Sequence, residues 1–251
     1  MTKLLLAMCG IPASGKTTLA RAILTALVGT VRAEIVSTDD IRDKRYYEDF
    51  RPEREHAVRA DALRRTEHLL QRGLSVIHDD TNYYASMRHE LFSLANQQDA
   101  LFAVVYVSTP LETAMRWNEK RHGPVPLEVL QRIAERIDPP GERYGWDRPI
   151  AVVDMSWVDP EEAARDIVAR LCRMERIPVR AGKSDTASEQ RAVSLDTLTR
   201  RAVARYLAAN PDLRGSPAVS RIRREVLRTA IRNGLDEEAT LMLLNEKLSA
   251  A

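Results

Sequence analysis

The sequence is short of cysteine, of aromatic residues and of long apolar runs, and each shortage narrows what the chain can be. Two cysteines, Cys9 and Cys172, among 251 residues cannot build the disulfide framework of a small secreted domain, and neither has partners at zinc-ligand spacing. Both read as buried thiols. The apolar run at residues 4–8 is far below the roughly 20 residues that span a bilayer, so no membrane span is expected. With only Lys3 of positive charge before it and a glycine-rich loop after it, the run reads as a strand and not as a signal peptide, and a cytoplasmic protein is expected. Aromatic residues make up 5% of the chain, and Tyr206 is the one aromatic after residue 192. The last sixty residues therefore have a small core that needs the support of the larger domain or of a partner. What is present, 44% hydrophobic and 29% charged residues, is globular composition and excludes a wholly disordered or fibrous chain.

The net charge of +2 hides an uneven distribution. Residues 191–232 carry ten basic side chains opposed by Asp196, Asp212 and Glu225, a balance of +7. That concentration suits a polyanion such as nucleic acid, although a solvated helix surface has the same composition.

Apolar runs at residues 4–8, 74–77 and 101–107, with weaker ones at 34–37 and 150–153, read as buried parallel strands. Helical spacing fills the intervals at 17–28, 54–71, 86–96, 110–121, 127–137 and 161–174. Alternation of this kind predicts an α/β fold, a doubly wound parallel sheet. From residue 178 to 192 the periodicity lapses into linker composition. This divides the chain into an α/β domain at 1–177, a linker at 178–192 and a small all-α domain at 193–251. In that last domain three helices are expected at 195–209, 218–233 and 237–248, with Asp196 as a first cap and Asn233-Gly234 as a stop.

Gly10-Ile11-Pro12-Ala13-Ser14-Gly15-Lys16-Thr17 satisfies G-x-x-x-x-G-K-[ST] between a strand and a helix, the context this phosphate-binding motif requires. Its glycines let successive N–H groups and the helix N-terminus face the phosphates of a nucleotide. Gly10 through Thr17, with Thr18, are the candidate ATP-binding residues. Lys16 is placed to bridge the β- and γ-phosphates and the Thr17 hydroxyl to ligate Mg²⁺. Asp39 follows the second strand at the sheet edge where α/β sites assemble. It is a candidate base for an attacking hydroxyl with Arg42 one turn later, or a helix N-cap, or both. The third strand ends in His78-Asp79-Asp80-Thr81-Asn82. Asp79, ahead of Asp80, is the candidate acidic residue at the metal, and His78 reads as a packed histidine. Arg116, Lys120 and Arg121 near one helix end, with Arg132 and Arg136 on the next, are candidates to neutralise charge on a transferred phosphoryl group.

Asp79-Asp80-Thr81-Asn82-Tyr83-Tyr84-Ala85-Ser86-Met87-Arg88 resembles the D-D-x-N/F-Y-Y-x-S-M-R signature of the archaeal and eukaryotic O-phosphoseryl-tRNA(Sec) kinases. The P-loop, Asp39-x-x-Arg42, Asn118-Glu119-Lys120-Arg121 and Arg136-x-Asp138-Pro139-Pro140 support the resemblance, which covers residues 3–150 well and the tail only by length, helicity and charge. It implies a P-loop kinase-like sheet, with a P-loop kinase domain at 1–177, in a homodimeric kinase that uses ATP and Mg²⁺ to phosphorylate the serine of Ser-tRNA(Sec), with Asp39 as base, Arg42 assisting, and the helical domain gripping the tRNA. The family's R-x-x-x-R pair falls on Trp117 and Arg121 here, leaving Arg116 or Lys120 to replace the missing first arginine. Arg200, Arg201, Arg205, Arg221, Arg224 and Arg228, spaced at three or four along helices, are the tRNA-contact candidates, suited to backbone and shape recognition. Trp117-Asn118-x-x-Arg121 also resembles the Elongator-associated P-loop proteins, which bind tRNA and hydrolyse ATP without a phosphoryl acceptor. A small-molecule kinase is the third alternative, for which the basic helical tail has no use.

Overall fold

The computed structural model describes residues 3–42, 52–121, 123–174, 185–213 and 216–249. They belong to two compact units, Met1–Ile177 and Pro178–Ala251. Residues 178–184 of the expected linker lie outside the described residues.

Among the described residues the first unit contains five strands, β1 (Leu4–Cys9), β2 (Ala33–Ser37), β3 (Ser75–Asp79), β4 (Leu101–Val107) and β5 (Ala151–Val153). They form one sheet in the order β2-β3-β1-β4-β5, and every pairing is parallel. Six helices, α1 (Lys16–Ala26), α2 (Pro52–Gln71), α3 (Ala85–Gln97), α4 (Leu111–Glu119), α5 (Leu127–Arg136) and α6 (Pro160–Arg173), accompany it. All six residues of β1 are buried, because a central parallel strand is covered on both faces. Its alternation sorts them. Leu4, Leu6 and Met8 join Leu19 and Ile23 of α1 and Ala164 and Ile167 of α6 in one core. Leu5, Ala7 and Cys9 join Ala62 and Leu70 of α2 and Leu91 and Ala95 of α3 in the other. A third cluster holds α4 and α5 beside the glycine-rich loop through Ile11, Ala114 and Leu130.

The ends of α6 show why the helix sits where it does. Asp159 accepts from the N–H groups of Glu161 (3.1 Å) and Glu162 (3.0 Å), Pro160 occupies the first turn, and Arg170 and Arg173 lie in the last, all favourable to the helix dipole. Its inner stripe is Ala163, Ala164, Ile167 and Leu171. Cys172, expected to be buried, stands one residue off that stripe and is exposed.

The second unit is helical: α7 (Asp185–Ala209), α8 (Pro217–Asn233) and α9 (Glu237–Ser249). Val219, Val226, Leu244 and Leu248 form its main cluster with Tyr206 beside them, and the Tyr206 hydroxyl donates to Leu248 O at 2.9 Å. Gly234 closes α8 in the left-handed conformation (φ 64°), and the Leu235 N–H returns to Ala230 O at 2.9 Å, a glycine-terminated helix end.

Two expectations for this unit are corrected. Residues 185–192, expected as linker, are the first two turns of α7, and Ala192 and Val193 are buried; the polar composition there does not break the helix. Asp196, expected as a cap, lies in mid-helix and is buried. It accepts from Arg200 Nε (2.9 Å) and from Arg223 Nη1 of α8 (2.7 Å). Burial raises its carboxyl, but Arg200 and Arg223 outweigh burial and hold it below the ordinary carboxylate range. Asp196→Ala is expected to destabilise this unit by about 3 kcal/mol or more, because it leaves Arg223 buried without its carboxylate. Guanidinium-chloride denaturation reads this; a loss under about 1 kcal/mol contradicts the cross-helix role.

Candidate active site

β1 stops at Cys9 because the chain must curl: a Cβ on Gly10 would stand 2.5 Å from Val107 O. The loop ends at Gly15, whose φ of 92° starts α1. The N–H groups of Lys16, Thr17 and Thr18 precede the helical ladder, which opens with Leu19 N–H to Gly15 O at 3.0 Å, so they are the donors a helix N-terminus offers to an anion. No acidic residue occupies that first turn. Ser14 Oγ is buried and has no hydrogen-bond partner among the described residues. Lys16 is buried, and its Nζ donates to Ile11 O at 2.6 Å. Burial lowers its pKa against the pull of Asp79, Asp80 and Asp39. A buried ammonium resting on a loop carbonyl beside an orphaned hydroxyl and unused helix donors fits a polyphosphate.

Parallel register carries three carboxylates to the same edge. Ser37 pairs with Asp79 across β2 and β3, and Thr38 N–H continues to Asp79 O at 3.3 Å. Asp79 accepts from Thr17 Oγ1 at 2.7 Å, so the two expected metal residues are adjacent. Burial raises the Asp79 carboxyl, with Lys16 and Thr17 opposing. Among the described residues no group of three His, Cys, Asp or Glu side chains converges for a metal. One hydroxyl beside one carboxylate suits Mg²⁺, which keeps waters and takes most of its other ligands from phosphate. Asp80 faces away from this pair: it accepts from Thr38 Oγ1 (3.0 Å) and from the Thr81 N–H (2.7 Å) and serves to fasten the strand ends.

Asp39 lies in a turn over residues 38–42, where Arg42 N–H bonds Thr38 O at 3.2 Å. Arg42 Nη1 donates to Asp39 Oδ1 at 2.6 Å, and Arg121 Nη2 to Oδ2. Burial would raise the Asp39 carboxyl, yet Arg121 and then Arg42 hold it below its ordinary range. It remains 37% exposed, open to an acceptor. Of the three arginine or lysine candidates on α4 and its end, Arg121 is the one bonded to Asp39. Arg116 donates to Thr113 Oγ1 of its own helix at 3.1 Å, and Lys120 is exposed, as are Arg132 and Arg136 on α5. In the second unit Arg201, Arg205, Arg221, Arg224 and Arg228 are exposed, whereas Arg200 is half-buried on Asp196.

Several contributors carry no motif of their own. Glu55 of α2 accepts from Arg42 Nη2 at 2.7 Å and so steadies the Asp39 partner; thirteen residues and a helix start separate the two, and nothing in their spacing signals the bond. Arg88, the last residue of the signature string, and Asp147 are each 1% exposed. Arg88 Nε and Nη2 donate to Asp147 Oδ2 at 2.9 and 2.6 Å, and Nη1 donates to Asn82 O at 2.9 Å. This pair pins the 79–82 loop from beneath. Thr109 Oγ1 donates to Ser14 O (2.8 Å) and accepts from Met155 N–H (3.1 Å), tying the glycine-rich loop to the one after β5.

The chain is similar to known proteins in sequence and in fold. The profile of the family described as chromatin associated protein KTI12 matches residues 4–234. The L-seryl-tRNA(Sec) kinase of Methanococcus maripaludis is 28% identical over 235 residues, covering 90% of this chain and 89% of that protein. Protein kti12 of Schizosaccharomyces pombe is 26% identical over 160 residues, covering 59% of this chain and 56% of that protein. Among solved structures, Chaetomium thermophilum Kti12 in complex with ADP-AlF3 superposes with a TM-score of 0.56 at 23% identity, over 66% of this chain and 97% of that one. The fold of the first unit is P-loop kinase-like. No helix of the described residues is long and apolar enough to cross a membrane.

His78, beneath the carboxylates, is buried with Nδ1 3.0 Å from Thr66 Oγ1, and burial lowers its pKa to about 4. The unfolded chain therefore binds the extra proton between pH 6.5 and about 4. The stability this neutral histidine contributes is complete above pH 6.5 and falls by about 3 kcal/mol on descending to pH 4. His78→Gln is expected to flatten that part of the stability–pH curve in denaturant titrations; an unchanged slope contradicts a buried neutral His78.

Proposed function

This chain belongs to the family of the chromatin associated protein KTI12, and from that premise we propose that it is an ATP-dependent kinase that phosphorylates the serine hydroxyl of Ser-tRNA(Sec). The observation that carries this reading is Asp39: a partly exposed carboxylate held by Arg42 and Arg121 on the edge where Thr17 meets Asp79. A carboxylate so placed suits a hydroxyl that attacks the γ-phosphorus. The match to an L-seryl-tRNA(Sec) kinase over 90% of this chain supports the same acceptor, since it extends beyond the nucleotide-binding unit into the basic helices.

In this mechanism residues 10–18 bind ATP. Lys16 leaves Ile11 O for the β- and γ-phosphates, and its lowered proton affinity recovers as the phosphate charge arrives. Thr17 and Asp79 would hold Mg²⁺, which would supply charge neutralisation for the transfer. The serine Oγ attacks the γ-phosphorus, the bond to the β-phosphate oxygen breaks, and the hydroxyl proton passes to Asp39. Two arginines make Asp39 a weak base, so its part is to align the hydroxyl and take the proton late, which a loose transition state allows. Arg121 and Arg42 then neutralise charge on the transferred group, with Arg116 and Lys120 as further cations of the same helix end. Arg201, Arg205, Arg221, Arg224 and Arg228, with Arg200 behind them, contact the tRNA backbone. A homodimer is what the resemblance to the kinase family implies.

The second reading, a tRNA-binding ATPase without a phosphoryl acceptor, is favoured by the similarity to Protein kti12 and by Trp117-Asn118-x-x-Arg121. The two separate at the acceptor: tRNA-stimulated ATP hydrolysis with no label on a serine ester favours the second reading. Asp39→Asn is expected to lower phosphoryl transfer by about 10²-fold with ATP affinity near wild type; transfer near wild type reduces Asp39 to a turn residue. Arg221→Glu with Arg224→Glu is expected to weaken tRNA binding and reduce its salt slope by about 2. An unchanged slope moves the tRNA surface elsewhere.

A further inference from the structure

We propose that Trp117 stacks on the nucleobase of the bound nucleotide, taking with an indole the place where the kinase pattern has its first arginine. This rests on the nucleotide site described above and adds the residue that reads the base. Trp117 lies over the glycine-rich loop: its Cζ3 is 3.6 Å from the position a Cβ on Gly15 would take, and the Met155 side chain is 3.1 Å from the same position. Gly15 is thus roofed by α4 on one hand and by the loop after β5 on the other. Thr109 fixes that second wall, since one hydroxyl bonds both Ser14 O and the Met155 N–H.

The ring is not part of the core. The buried residues of α4 are Thr113, Ala114 and Asn118, while Trp117 is 36% exposed. An aromatic of this size left partly exposed over a phosphate-binding loop, in a chain with 5% aromatics, is placed to meet a flat ligand group. Its spacing gives the polarity of the site. Trp117 and Arg121 are four residues apart, on one side of a helical turn that continues through Arg121 N–H to Asn118 O at 3.1 Å. Arg121 marks the acceptor end through Asp39, so the nucleotide's γ-phosphate end belongs there. The base belongs at the opposite end, against Trp117 and the Met155 wall. Neither neighbour of Trp117 competes for this role: Arg116 bonds Thr113, and Lys120 has no flat face.

The test uses the full-length protein with Trp157→Phe, so that the fluorescence comes from Trp117 and the half-buried Trp146. ATP and ADP are expected to quench Trp117 emission, and inorganic tripolyphosphate is expected to bind without quenching. By calorimetry Trp117→Leu weakens ATP binding about tenfold and leaves tripolyphosphate binding unchanged, while Trp117→Phe restores most of the loss. Equal weakening of ATP and tripolyphosphate, or ATP binding unaltered in Trp117→Leu, overturns the stacking role. Wild-type protein that binds neither ATP nor tripolyphosphate overturns instead the nucleotide site on which the proposal rests.

Discussion

The parallel register of β1, β2 and β3 is the constraint on which the rest of the site depends. Leu5 opposite Val76 and Ile35 opposite Ile77 bring three strands to an end at the same level. From there one chain turns into the glycine-rich loop, one into Asp39 and one into Asp79 and Asp80. A slip of one residue would reverse which side chains face the two cores, and the alternation of Leu4, Leu6 and Met8 against Leu5, Ala7 and Cys9 makes that slip costly. Hydrophobic sorting within a six-residue strand thereby sets the distance between a hydroxyl and a carboxylate at the surface.

The strand ends are then locked by polar contacts that tolerate little substitution. Asp80 fastens Thr38 and Thr81, Arg88 joins Asp147 to the Asn82 carbonyl, and Thr109 joins two loops. Asp79 and Asp39 stand outside these contacts, one beside Thr17 and one between two arginines. Their environments drive them apart: burial raises the first, and the Arg121 and Arg42 charges overcome burial to lower the second. Adjacent carboxylates with opposed shifts are the expected mark of divided roles.

Much of this was legible in the sequence, for identifiable reasons. The five strands and the helices of the first unit carry strong apolar periods, and Gly10 through Thr17 carries its own mechanism. Asp39 and Asp79 were legible as carboxylates at strand ends. What escaped is long-range and polar. Glu55 reaching Arg42, Asp147 receiving Arg88 and Asp196 joining α7 to α8 are bonds between residues whose spacing says nothing. The start of α7 was hidden by serine, aspartate and threonine, which composition assigns to a linker but which helix termini also favour. Trp117 read as a gap in an arginine pattern until the fold set it over Gly15.

The central claim is that the γ-phosphoryl group goes to an aminoacyl serine. The most direct measurement is transfer of labelled γ-phosphate from ATP, with Ser-tRNA(Sec), Ser-tRNA(Ser), uncharged tRNA(Sec) and no acceptor in parallel. The account predicts label on the serine ester of Ser-tRNA(Sec) alone. Hydrolysis of ATP stimulated by tRNA, with no label on any aminoacyl ester, would contradict it.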